Sequence, residues 1–329
     1  MEFDDFTDML VNFVDYKILQ HNDDQLLLVC GYEGKGKSTL SIATQCEIYR
    51  KRKQKTNRNH IIFNWSEYLA ANMQVIKNMM SDKHHYVLEK VQEWIDYYEL
   101  DLNNPITKKA FEVDYEVYNG CVLVYDEAAT QMHSRQGMTR KGVDQNKLLI
   151  LNRFLKMMHL YNAPKPQSLE VYPREQRPRG MIWCVAEYTQ DLKQRLRGAY
   201  FYTQDTYNEI FCHRYWWKLF SNDMKLVETI PPDFEIILPD NLLSLIPEEI
   251  LQDYEAKKLV SAMHQTIGMW HNIYGKGDSK DKGSRDKEDK IDKLVQEGEN
   301  KQSWSKRTGL SPGSYYNYKS HTHKPTQGT

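Results

Sequence analysis

No stretch of this 329-residue chain is apolar for long enough to cross a bilayer. Apolar runs such as residues 26–30 and 121–125 are a fraction of the about 20 residues that a spanning helix needs. The acidic start, Met1-Glu2-Phe3-Asp4-Asp5, lacks the basic flank and apolar stretch of a secretion signal. Close cysteine pairs are missing too. Cys30, Cys46, Cys121, Cys184 and Cys212 are scattered, which argues against a zinc or disulfide framework. Three of them fall in apolar, strand-like runs, where a free cysteine behaves as a small buried hydrophobe. His84, His85, His321 and His323 have no convincing metal-ligand company. An excess of either charge is absent as well: 44 basic against 45 acidic residues leave a net charge of -1. Any nucleic-acid contact must therefore come from local basic patches. No internal repeat is visible. These absences leave a soluble, cytoplasmic protein without a membrane segment as the expectation. The 40% apolar and 27% charged content is ordinary for a globular chain, long enough for one large domain and an appendage.

What is present is an alternation of short apolar runs with helical patterns. Phe6, Leu10, Phe13, Val14 and Ile18 stand at helical spacing. Residues 25–30 read as a buried strand, 31–37 as a loop and 38–51 as a helix. Residues 60–64 read as a second short strand and 67–100 as helical. Residues 120–125 read as a third strand, ending at Asp126, and 146–161 as a helix. A fourth strand is expected at 181–187, with further strands at 200–203 and 209–215, then one or two helices over 245–270. Strands alternating with helices predict an α/β fold, with a mostly parallel central sheet flanked by helices. Residues 275–290 contain no apolar side chain and read as a flexible linker. The organisation expected is a domain over residues 1–245, a helical extension over 246–273, a charged linker over 274–290 and a small α-helical domain over 291–329.

The run Gly31-Tyr32-Glu33-Gly34-Lys35-Gly36-Lys37-Ser38-Thr39 follows the first strand and opens a helix. That context fits a P-loop, in which glycines let successive backbone N–H groups turn inward on phosphate oxygens. Lys37 is expected on the β- and γ-phosphates of ATP, and the Ser38 hydroxyl on Mg²⁺. Downstream, Cys121-Val122-Leu123-Val124-Tyr125 delivers Asp126 and Glu127 at a strand end. Asp126 is positioned to hold the metal, and Glu127 to polarise an attacking water as general base. Together the two segments predict a P-loop ATPase that uses ATP and Mg²⁺.

The residues after the acidic pair, including Ser134, Arg135, Met138, Thr139, Asn146 and Arg153, resemble those of the additional-strand ATPases that pump DNA. This is the FtsK/HerA group, with the virion-packaging ATPases and phage-assembly proteins similar to zonula occludens toxin. In that group a strand following a helix ends in a polar sensor, commonly Gln, near the γ-phosphate. Applied to the strand at 181–187, the resemblance points to Glu187 or Gln190. It further makes Arg195 and Arg197 candidate arginine fingers for a neighbouring subunit; a solvated basic helix face is the other reading. Arg135 and Arg140 face a DNA channel or the next subunit, or are merely exposed. The resemblance spans residues 25–215 and implies a homo-oligomer, possibly a hexameric ring, acting on double-stranded DNA for a virus, plasmid or mobile element. Host cytoplasm is then the expected location, and capsid or other assembly proteins are possible partners. The alternatives are a phage- or filament-assembly ATPase with protein cargo, and a nucleotide-switched DNA-binding regulator.

The chain's last part is patterned again. Residues 301–310 read as a helix with a Gly309-Leu310 turn, and Ser311-Pro312 starts another. Two short helices about a glycine turn resemble a helix-turn-helix DNA-binding unit. Ser314, Tyr315, Asn317 and Lys319 are its candidate base or phosphate contacts, with Lys306 and Arg307 on the backbone. A helical tail docked on the body is the other reading. Trp216-Trp217 and the tyrosines of 200–207 fit core or subunit interface better than stacking on bases. The basic loop 164–179 faces DNA phosphates or solvent.

Overall fold

The computed structural model describes residues 1–21, 23, 25–80, 116–126, 128, 155–188 and 195–274. By contacts the chain divides into two compact units, Met1–Ser261 and Ala262–Thr329. The described part of the second unit is the end of a helix.

Helix α1 (Phe3–Asn12) runs on in π-helical form through Phe13–Gln20. Of the residues read at helical spacing, Phe6, Leu10, Val14 and Ile18 are fully buried and Phe13 half-buried, and Phe3 is buried beside them. Strand β1 (Gln25–Cys30) has every residue buried. After it come the phosphate-loop residues and α2 (Lys37–Lys51), then a two-residue β2 (Ile61–Ile62) and α3 (Trp65–Met80). Strand β3 is Val122–Tyr125, β4 Met158–Ala163, β5 Gly180–Tyr188 and β6 Arg195–Thr203. Helices α4 (Gln204–Cys212), α5 (Trp216–Leu219) and α6 (Asp223–Thr229) follow, then β7 (Phe234–Ile236) and the long α7 (Glu248–Tyr274).

The seven strands form one sheet in the order β2-β3-β4-β1-β5-β6-β7. Neighbours from β2 to β5 pair in parallel, and β6 and β7 add antiparallel edges. Because side chains alternate across a strand, Leu26, Leu28 and Cys30 enter one core with α3 and α4, while Leu27 and Val29 enter another with α1 and α2. The protein thus has an α/β fold of the P-loop nucleotide-binding type, with a mostly parallel sheet between helical layers.

Three local expectations are corrected. The helix pattern read through residue 161 gives way to a strand at Met158. All six β4 residues are buried, so they carry no alternation to betray a strand. Residues 209–212, read as strand, lie in α4, where Tyr207 and Ile210 are buried at helical spacing. Arg195 and Arg197 stand not on a helix but in β6, opposite Tyr188 and Ala186 of β5. The linker and the helix-turn-helix reading, residues 275–329, lie outside the described residues.

The short β2 leaves the start of β3 without a strand partner on that side, and α2 supplies one. Tyr49's hydroxyl accepts from the Val122 N–H at 2.9 Å, and Gln45 Nε2 donates to the Val122 carbonyl at 2.7 Å. This satisfies buried backbone groups that would otherwise be orphaned. It also fixes the helix after the phosphate loop to the strand that ends in Asp126.

Candidate functional site

The parallel register aligns the C-terminal ends of β1, β3 and β4: Cys30 lies opposite Ala163, and Tyr125 opposite Tyr161. In an open α/β sheet that edge is where ligands bind. From β1 the chain enters the loop at Gly31, whose φ is 146°, and passes Gly34 and Gly36 at 74° and 81°. These are left-handed conformations that glycine adopts without strain. Gly31 has a second constraint, since a Cβ there would lie 2.7 Å from the Cys184 carbonyl oxygen on β5. Gly36 is the N-cap of α2, so the loop leads into a helix N-terminus with its free N–H groups and positive dipole end.

Lys37 opens α2, and its ammonium donates to the carbonyls of Gly31 at 2.6 Å and Tyr32 at 3.0 Å. The side chain lies back over the loop. Burial lowers its pKa from the ordinary lysine value, opposed by Cys184, Cys30, Asp126 and Glu33. Tyr32 and Lys35 are tied to the segment after α5. Tyr32's hydroxyl donates to the Phe220 carbonyl, and Lys35 pairs with Asp223. Asp223 also accepts from the Trp183 indole at 3.0 Å. Glu33 and Gly34 are exposed, and Thr39 is half-buried.

Asp126 is nearly inaccessible, with 2% exposure, and its carboxylate collects side chains from three elements. Ser38 Oγ donates to Oδ1 at 2.9 Å, Asn162 Nδ2 donates to Oδ1 at 2.8 Å, and the Tyr254 hydroxyl donates to Oδ2 at 2.9 Å. Asn162 is itself held by Ser41, whose hydroxyl donates to its Oδ1 at 2.6 Å. The structure thus joins Ser38 and Asp126, which the sequence places 88 positions apart. Their paired oxygen donors are the hard ligands that suit Mg²⁺. Asn162 and Tyr254 were not foreseen. A polar residue near the end of the strand between the two motif strands was the available signal for Asn162, hidden because the helical pattern runs to residue 161 and Asn162 then reads as the start of the Pro- and Arg-containing stretch. No local signal marks Tyr254.

The other sequence candidates are placed unevenly. Glu127, Gln190, Arg135 and Arg140 lie outside the described residues, as do Lys306, Arg307, Ser314, Tyr315, Asn317 and Lys319. Glu187 lies near the end of β5, with its backbone opposite Leu196. Trp216 packs against the core, while Trp217 is 53% exposed. Four of the cysteines are buried and Cys212 is exposed, all with free thiols. Among the described residues no helix is long and apolar enough to cross a membrane.

No protein-family model matches the chain, and no curated protein does. Among solved structures the chain is similar to a KaiC-like protein from the hyperthermophilic archaeon Pyrococcus horikoshii OT3. The identity is 16% over 54% of this chain and 78% of that one, with a TM-score of 0.27.

Proposed function

We propose that this chain is a Mg²⁺-dependent ATPase of the FtsK/HerA-like additional-strand group, which moves or packages double-stranded DNA as a ring for a virus or mobile element. The observation that carries the nucleotide reading is the meeting of Ser38 and Asp126 beside a loop of left-handed glycines. The sheet order supports the additional-strand reading, because β4 stands between the strand of the loop and the strand of the acidic pair.

In this reading the loop N–H groups from Gly31 to Thr39 cradle the phosphates, and Lys37 leaves the Gly31 and Tyr32 carbonyls to neutralise them. Ser38 and Asp126 hold Mg²⁺, which when bound neutralises charge that develops on the phosphate oxygens. Glu127, next in the chain to Asp126, takes the proton of the attacking water. Asn162, whose amide donates to Asp126, joins Glu187 and Gln190 as a candidate for the polar group that senses the γ-phosphate. Arg195 and Arg197 serve as fingers toward a neighbouring subunit, and residues 291–329 engage DNA.

The test is ATP hydrolysis by the purified protein with and without double-stranded DNA. A DNA motor accelerates several-fold on DNA. A rate indifferent to DNA contradicts the motor and favours a protein-cargo ATPase or a slow nucleotide switch.

A further inference from the structure

Helix α7 reaches the candidate nucleotide site from a part of the chain that the sequence motifs do not touch. Among its described side chains Ile250 and Tyr254 are buried, with Tyr254 only 8% exposed. The Tyr254 ring lies 5.6 Å from that of Phe63, just after β2, at 31°. Around it α7 is fastened to the same edge of the sheet. Lys257 donates to the Ile61 carbonyl at 2.7 Å and pairs with Glu67 at 3.6 Å, and Arg58 pairs with Asp253 at 3.1 Å. With its ring so fixed, Tyr254 delivers its hydroxyl to Asp126 Oδ2 at 2.9 Å, a residue 128 positions earlier in the chain. Lys258, one turn on, stands 3.3 Å from that hydroxyl.

The division of labour on the carboxylate is specific. Ser38 and Asn162 both address Oδ1, and Tyr254 alone addresses Oδ2 among the described residues. A carboxylate bonded through one oxygen still pivots about its Cβ–Cγ bond, whereas one bonded through both is fixed in plane. We propose that Tyr254 is a positioning residue, which locks the Asp126 carboxylate so that Oδ1 faces Ser38 and the metal position, and so sets the affinity for the nucleotide's divalent cation. The inference rests on the reading of Asp126 as the metal-holding residue. In this role Tyr254 acts through Asp126, to which its hydroxyl donates. The Lys258 ammonium has the opposite influence, since a positive charge near Asp126 opposes a second cation.

The experiment measures binding of a fluorescent ADP analogue, first in EDTA and then as a Mg²⁺ titration at fixed nucleotide. Tyr254→Phe keeps the ring against Phe63 and removes only the hydroxyl. It is expected to raise the half-saturating Mg²⁺ concentration about tenfold, the loss typical of a hydrogen bond to a charged group, with EDTA affinity unchanged. Lys258→Ala is expected to lower that concentration about twofold, a small effect because the lysine is exposed to solvent screening. A merely structural role for Tyr254 would weaken binding equally in EDTA and Mg²⁺, and that result overturns the proposal. So does a Tyr254→Phe protein with wild-type Mg²⁺ dependence, or one in which both variants shift the same way. If Tyr254→Phe does not fold, the Lys258→Ala shift alone decides, and its absence overturns the proposal. A wild-type protein that binds no nucleotide at all is a different result, which removes the site reading itself.

Discussion

Asn162 ties the two halves of the candidate site together, one hydrogen bond reaching Asp126 and another received from Ser41 of α2. Asn162→Ala leaves the Asp126 Oδ1 with one fewer donor and the buried Ser41 hydroxyl without that acceptor. Turnover of ATP is expected to fall about tenfold to a hundredfold, as befits a hydrogen bond to a charged group. The nucleotide concentration for half-maximal rate should change little, since in the proposed site the loop, not Asn162, would hold the phosphates. Steady-state kinetics check this; an unchanged kcat would remove Asn162 from the machinery. On the same strand His159 is buried, and burial lowers its pKa to about 3 from an ordinary 6.5. Between those values the unfolded chain carries a proton that the folded chain refuses, so stability falls as pH falls below about 6.5. The contribution grows by roughly a kcal/mol for each pH unit in that range. Urea unfolding at pH 7 and pH 5 measures it, and His159→Gln should flatten the slope by that amount.

At the scale of the element, β1, the loop and α2 were legible because their signals are local: an apolar run, glycines at fixed spacing and a helix that starts at Lys37. The fourth core strand was not. Its residues Met158-His159-Leu160-Tyr161-Asn162-Ala163 are all buried, so no half-buried alternation marks them, and a preceding helical pattern absorbs those up to Tyr161. Misreading β4 hid Asn162 and turned attention to the end of β5 for a polar strand-end residue. The α4 segment failed in the reverse sense, its isoleucine and phenylalanine suiting a strand by propensity while the burial of Tyr207 and Ile210 follows a helix. The loop itself makes an element-level prediction. Gly31→Ala sets a Cβ against the Cys184 carbonyl at a φ of 146°, strain of about 1–3 kcal/mol. Gly198→Ala on β6, where the nearest atom to a Cβ is 3.9 Å away, should cost far less. Denaturant unfolding of the two variants compares them directly; equal losses would contradict the close approach of the loop to β5.

At the scale of the whole molecule, the sheet order brings together residues that are far apart in sequence. Ser38 follows β1, Asp126 follows β3, Asn162 lies on the strand between them, and Tyr254 arrives on α7. The two motif ends could be read from the chain because each couples a strand end to a particular chemistry. Tyr254 could not, because a tyrosine in an amphipathic helix has the same local pattern whatever it meets across the fold. The central claim is that these converging groups form a Mg²⁺-dependent ATP-hydrolysing site. The most direct measurement is phosphate release from ATP by wild-type protein, Lys37→Ala and Glu127→Gln, each with Mg²⁺ and with EDTA. The account predicts release by wild type with Mg²⁺ only and near-complete loss in both variants, with Glu127→Gln still binding Mg²⁺–ATP. Release that survives Lys37→Ala, or no release by wild type with or without DNA, would contradict it.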